Sequence, residues 1–131
     1  MVEWIKKSKR KATGGIDNSV NFKTKALSDR GGLFVKTVVD SDEKKFKERT
    51  RGGNDKLKIS KASTVLVSDN GKSFKSKVLN VVENNANKQF VRQRVITKGS
   101  IIVVEKDGKE HKAKVTSRPG QIGQVTAVLV K

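Results

Sequence analysis

SIIVVEKDGKEHKAKVTS, residues 100–117, decides the fold: a run of β-branched residues, an Asp107-Gly108 pair and a second run alternating with lysines. Asp-Gly between alternating apolar residues is a strong short-range hairpin signal. A two-residue turn would set Glu105 directly opposite Glu110, a like-charge pair that weakens a ladder. A three-residue loop of Lys106, Asp107 and Gly108 avoids that pair, with Gly108 left-handed and Glu105 facing Lys109. In that register Ile101 and Val103 share a face with Ala113, while Lys112 and Lys114 stud the other. The expected hairpin is half core and half charged surface.

Working outward, similar short runs recur from Leu33 onward: LFVKTVV, KLKIS, STVLVS, QFVRQRVIT and QVTAVLVK. RGG, RGGN, DNGK, KDGK and RPGQIG separate them. Val/Ile/Thr-rich runs punctuated by Gly, Asn and Asp predict an all-β domain over residues 33–131, a small closed or partly open β-barrel of short antiparallel strands. No internal repeat or helical periodicity stands out. DSDEKKFKERT (40–50) allows either a helix begun by Asp40 and Glu43 at capping-box spacing or a charged hairpin. Residues 5–32 offer few apolar side chains, among them Ile5, Ile16, Val20, Phe22 and Leu27, without sustained periodicity. Residues 1–32 are therefore expected to be an extended basic tail that does not fold alone.

The 131 residues carry 30 Lys plus Arg against 13 Asp plus Glu, a formal net charge of +17. That excess calls for a polyanionic partner. Both halves share it, with 17 basic and 8 acidic residues over 1–61 and 13 and 5 over 62–131. There is no lipidation motif, no apolar run near the roughly 18 residues of a membrane span, and no apolar stretch of a signal peptide near the first residue. A soluble, intracellular protein with no membrane partner is expected. The absence of cysteine excludes disulfides, thiolate zinc sites and cysteine nucleophiles.

No constellation for catalysis is legible. His111 is the single histidine, so neither a His-based metal site nor a His-assisted triad builds around it. Most carboxylates neighbour lysines, as in EKDGKE and SDEKKFKE, the pattern of solvated ion pairs. The glycines of GGIDNS, RGG and RGGND follow neither the P-loop nor the dinucleotide fingerprint. They do stand beside cations three times. Glycine permits close approach of the backbone to a phosphate, and flanking arginines can fork onto its oxygens. Neither enzymatic activity, cofactor nor metal is expected, and no small-molecule substrate or homo-oligomer.

Several segments are similar to a known family. SKRKATGG (8–15), RTRGGND (49–55), VVENNANKQFVRQRVITKGSIIVVE (81–105) and AKVTSRPGQIGQVTAVLVK (113–131) resemble the archaeal form of the e-type small-subunit ribosomal protein eight family, in the family's order and spacing over nearly the whole length. The chain departs from the usual pattern in EWIKKS, where the family opens Lys-Trp-X-Gly, in Ala12 before Thr-Gly-Gly, and in Asn85, each of the last two where proline is usual. The resemblance implies binding to small-subunit ribosomal RNA beside neighbouring ribosomal proteins in the cytoplasm, and a part in translation.

Charge and resemblance together nominate the contacts. Lys6, Lys7, Lys9, Arg10 and Lys11 are expected to neutralise phosphates as the N-terminal segment orders on RNA, with Thr13, Gly14 and Gly15 turning the chain. Arg30 and the group Arg49, Arg51, Gly52, Gly53, Asn54 and Lys56 would form further clamps, joined by Lys98 and Arg118. In QFVRQRV, Phe90, Arg92 and Arg94 alternate as one face of a strand, with Phe90 placed to stack on a base or to sit in the core rim. Trp4 is placed either to intercalate or to anchor the segment on the barrel. The alternatives are a ribosome-assembly factor, whose chains are much longer, and a chromatin-like binder of duplex DNA.

Overall fold

The computed structural model describes residues 3–18, 26–32, 34–50, 52–69, 71–106 and 108–130. Val20, Phe22, Leu33, Arg51 and Asp107 lie outside the described residues. The chain divides into two compact units, Met1–Phe34 and Val35–Lys131.

In the first unit β1 (Glu3–Trp4) pairs antiparallel with β2 (Arg30–Gly31), setting Trp4 opposite Arg30, and a 3₁₀ turn (Leu27–Asp29) precedes β2. The Ile5 amide donates to the Asp29 carbonyl at 2.7 Å. Between them the Thr-Gly-Gly segment makes a tight loop. The Lys11 amide donates to the Gly15 carbonyl at 2.8 Å and the Gly14 amide to the Lys11 carbonyl at 2.9 Å. Gly14 takes φ +91°, which an L side chain would resist.

The second unit holds β3 (Thr37–Val39), β4 (Lys44–Arg49), β5 (Asp55–Ala62), β6 (Thr64–Asp69), β7 (Lys72–Glu83), helix α1 (Lys88–Arg92), β8 (Val95–Ile96), β9 (Ile101–Lys106), β10 (Lys109–Val115), helix α2 (Pro119–Ile122) and β11 (Thr126–Leu129). Strands β10, β11, β6, β7 and β9 close into a barrel, and β4, β5, β3 and β8 form a four-stranded sheet. The barrel expected from the strand pattern is thus present, and closed. Strands that reverse direction one after another cannot close antiparallel when their number is odd. β11 and β6 accordingly pair parallel, and the other barrel pairs are antiparallel.

So narrow a barrel leaves room for small branched side chains rather than rings. Val65, Val67, Val81, Ile102, Val104, Ala113, Val115 and Ala127 fill it, with Ile59 and Ala62 of β5 and Ile96 of β8 in the same core. Thr37 is buried beside them, its hydroxyl donating to the Ile59 carbonyl at 2.7 Å. Asn84, buried after β7, donates through Nδ2 to the Val95 carbonyl at 3.1 Å, while its Oδ1 accepts from Ala86 N and Thr97 Oγ1. One side chain thereby fixes the start of the α1 segment to β8.

The β9–β10 hairpin corrects the expected register. Glu105 does pair with Glu110, and Lys106 with Lys109. This pairing sets Ile102 opposite Ala113, so that Ile102, Val104, Ala113 and Val115 all face the interior. The three-residue loop would have placed Lys112 and Glu110 on the face of Ile102 and Val104, because a one-residue slip moves a strand's side chains to the other face. Burying each aliphatic side chain is worth about 1.5–3 kcal/mol, against about 0.2–1 kcal/mol for a cross-strand pair. Burial decides the register. Both glutamates are exposed, and Lys77 of β7 stands opposite Glu105 on its other side.

One further expectation is revised, one open alternative is decided, and one strand is added. QFVRQRV is not a strand: α1 occupies Lys88–Arg92, because Asn87 caps it by accepting from the Gln89 amide at 2.8 Å. Phe90, Arg92 and Arg94 therefore do not share a strand face. Residues 40–50 resolve as a hairpin arm, β4 pairing antiparallel with β5. The longest strand, β7, falls in KSFKSKVLNVVE, which the reading of apolar runs passed over; its buried Ser76 and Val78 alternate with exposed Lys75 and Lys77, and register shifts follow at Val78/Asn80 and Val81/Glu83.

Candidate nucleic-acid interface

In the first unit, Lys6, Lys7, Lys9, Arg10, Lys11, Thr13, Gly14 and Gly15 follow β1 along the loop. The Asp17 amide donates to the Lys9 carbonyl at 2.9 Å, and Arg10 bridges to Ile16. The Arg10 guanidinium donates to the Gly14 carbonyl at 2.7 Å. Arg10 thus shapes the loop it sits on, while Lys7 and Lys11 project from it exposed. Arg30 is exposed opposite Trp4, which is itself 36% exposed.

In the second unit, the β4–β5 hairpin gathers Arg49, Gly52, Gly53, Asn54 and Lys56 at one end. Thr50 closes the loop, its amide and hydroxyl donating to the Asn54 carbonyl at 2.6 and 2.7 Å. Gly52 and Gly53 have φ of +87° and +79°. Cross-strand pairing puts Lys45, Lys47 and Arg49 on one face of the arm and Phe46 and Glu48 on the other, with Lys58 opposite Phe46. Every residue of β4 is exposed.

Arg92 ends α1, and Arg94 follows in the left-handed conformation, φ +52°. That costs a non-glycine residue about 1–2 kcal/mol. The strain is held by backbone bonds: the Arg94 amide donates to the Val91 carbonyl, and the Arg94 carbonyl accepts from the Val39 amide, each at 3.0 Å. Lys98 and Arg118 stand on adjoining loops, joined where the Gly99 amide donates to the Val115 carbonyl and the Val115 amide to the Ser100 carbonyl. Arg118 precedes the single turn of α2, its carbonyl accepting from Gln121 and Ile122 amides. Gly123 ends that turn at φ +71°, against Leu57.

The cations divide by what they touch. Lys45, Lys58, Lys61 and Lys106 are bound to Glu43, Glu48, Asp40 and Asp69, and Lys106 also lies 4.2 Å from the Phe74 ring centroid. A hydrogen bond from Lys61, then one from the Ser41 amide, holds the Asp40 carboxyl below its ordinary range, and the same bond raises Lys61. In contrast, Arg49, Lys56, Arg92, Arg94, Lys98 and Arg118 are exposed and in no ion pair among the described residues. Phe90 is half-buried in α1 and Val95 fully buried; His111 lies half-buried opposite Val104. Among the described residues no cluster of His, Asp and Glu is arranged to hold a metal, and no helix is long and apolar enough to cross a membrane.

Residues 4–130 match the family model for ribosomal protein S8e. The chain belongs to the ribosomal protein S8e family. Its archaeal relatives in the family include the small ribosomal subunit protein eS8 of Methanococcus vannielii, 42% identical over 99% of this chain and 98% of the relative. The protein of the same name from Sulfurisphaera tokodaii is 40% identical over 93% of this chain and 92% of its own. That from Methanobrevibacter smithii is 47% identical over 68% and 70%. Lys47 on β4 and Lys77 on β7 are further exposed cations that the sequence reading did not single out; alternation of lysine with Phe46, and with Ser76 and Val78, was the available signal.

Proposed function

We propose that this S8e-family chain is a structural constituent of the small ribosomal subunit that binds small-subunit ribosomal RNA, and that it is not an enzyme. Residues 1–32 serve as the basic RNA-binding segment, and the barrel domain of residues 33–131 is the scaffold that carries the Arg/Gly loops. Lys6, Lys7, Lys9, Lys11 and Arg30 neutralise phosphates from the first unit; Arg49, Arg51, Lys56, Arg92, Arg94, Lys98 and Arg118 do so from the second. Arg10 holds the Thr-Gly-Gly turn in shape for that contact. Neighbouring ribosomal proteins are its protein partners, and the cytoplasmic ribosome its location. The observation that carries this reading is the set Arg49, Lys56, Arg92, Arg94, Lys98 and Arg118, exposed and in no ion pair among the described residues, in a chain whose relatives are named as small-subunit proteins.

Filter binding of the full chain to small-subunit ribosomal RNA tests it. If roughly six to ten of these cations sit on phosphates at once, the affinity falls by about 10³- to 10⁵-fold between about 50 and 200 mM salt. Affinity that does not change with salt, or an equal preference for duplex DNA, would overturn it.

A further inference from the structure

Arg94 opens onto a cleft that the phosphate contacts alone do not explain. The cleft has a volume of 580 Å³ and lies where the end of β3, the start of β6 and the middle of β7 meet. Sites for ligands of nucleotide size span about 300–1,000 Å³. Its lining brings together two cations, Arg94 and Lys77, and aliphatic side chains of Val39 and Leu79, Leu79 standing on the same outer face of β7 as Lys77. Leu79 is 40% exposed, an apolar surface with room for a flat partner. Asp40 also lines the cleft, but its carboxylate is already bound by Lys61 at 2.6 Å and by the Ser41 amide at 2.8 Å. The acid is therefore neutralised locally, leaving the two cations in excess. The left-handed turn at Arg94 is tied on both sides by backbone hydrogen bonds, so the position of this arginine on the cleft wall is set by the fold.

We infer that this cleft receives one nucleotide splayed out of a bound RNA strand, its base against Leu79 and Val39 and its phosphate on Arg94 and Lys77. The inference rests on the RNA-binding function proposed above and adds to it a base-sized pocket. An aliphatic wall beside paired cations suits a nucleotide better than a bare phosphate, which gains nothing from apolar surface. An unpaired base can be taken up in this way because no complementary strand holds it, so that only stacking on its neighbours has to be given up.

A short single-stranded RNA bearing one 2-aminopurine tests it against the full chain, by affinity and by fluorescence, which rises when the base leaves its neighbours. The intact protein should raise the fluorescence on binding. Arg94→Gly keeps the left-handed turn and removes the guanidinium; it should weaken binding about tenfold, the loss of a charge-assisted hydrogen bond, and lower the salt slope by about 1. Leu79→Ser, at an exposed site, should keep most of the affinity and abolish the fluorescence rise, whereas Lys109→Ala should keep both. If RNA binds but the rise persists in both cleft variants, or is absent from the intact protein, the cleft is not a base pocket and the general RNA reading stands. If neither this RNA nor ribosomal RNA binds the intact protein at low salt, both fall.

Discussion

Glu105 lies directly opposite Glu110 across the β9–β10 hairpin, a like-charge pair held in place by the apolar residues behind it. Ile102, Val104, Ala113 and Val115 can all enter the barrel in this register, and the repulsion is spent in solvent beside Lys77. Glu110→Lys should therefore stabilise the protein by about 0.2–1 kcal/mol without changing the pairing. Urea denaturation measures the gain; a hydrogen-exchange pattern altered along β10 would contradict the fixed register.

Asn84 satisfies the Val95 carbonyl, the Ala86 amide and the Thr97 hydroxyl from a buried position. Asn84→Ala leaves those groups without it, and the expected loss is about 1–3 kcal/mol. Amide exchange should accelerate first in α1 and β8, before the barrel opens. Uniform acceleration through all strands would show that Asn84 does not act as a local tie.

Gly123 is needed twice over. Its φ of +71° disfavours a side chain, and a Cβ there would stand 2.6–2.8 Å from the side-chain atoms of Leu57. Gly123→Ala combines left-handed strain with overpacking, each about 1–2 kcal/mol or more, so a loss of at least about 2 kcal/mol is expected. Leu57→Ala in the same chain should recover part of it, a coupling that a double-mutant cycle in denaturant reads.

The Asp40–Lys61 pair gives a pH dependence with a worked sign. Asp40 is held below its ordinary value of 3.8, so its contribution is present above that value and is lost as pH falls through the lower folded value. Lys61 is held above its ordinary 10.5, so its contribution is present below 10.5 and is lost as pH rises through the raised value. Asp40→Asn should flatten both ends of the stability profile while changing the plateau little, since the pair is largely exposed and screened by salt. Thermal melts across pH at low and high salt provide the comparison; a loss on the plateau that salt does not reduce would count against it.

Much of this protein was legible along the chain. Val/Ile/Thr runs broken by Gly-containing turns sufficed for an all-β barrel, because strand patterning and turn chemistry are local properties. The charge excess pointed to a polyanion, and the segments SKRKATGG, RTRGGND and TSRPGQIG carried the family. Local signals failed where two of them competed. Asn87 capped a helix across residues that also alternated like a strand, and lysines beside Ser76 and Val78 disguised the longest strand.

Three-dimensional packing decided the rest. The register of β9 on β10 depends on which side chains the closed barrel must bury, and no count of charges along the hairpin contains that information. The parallel pairing of β6 with β11 follows from the number of strands that close the barrel. The division between cations bound to acids and cations left exposed depends on partners brought together from distant positions, as Asp40 meets Lys61 and Asp69 meets Lys106. Sequence by itself determined the kind of surface this protein presents. Burial, acting across the whole barrel at several times the energy of any single charge pair, determined where on that surface the free charges stand.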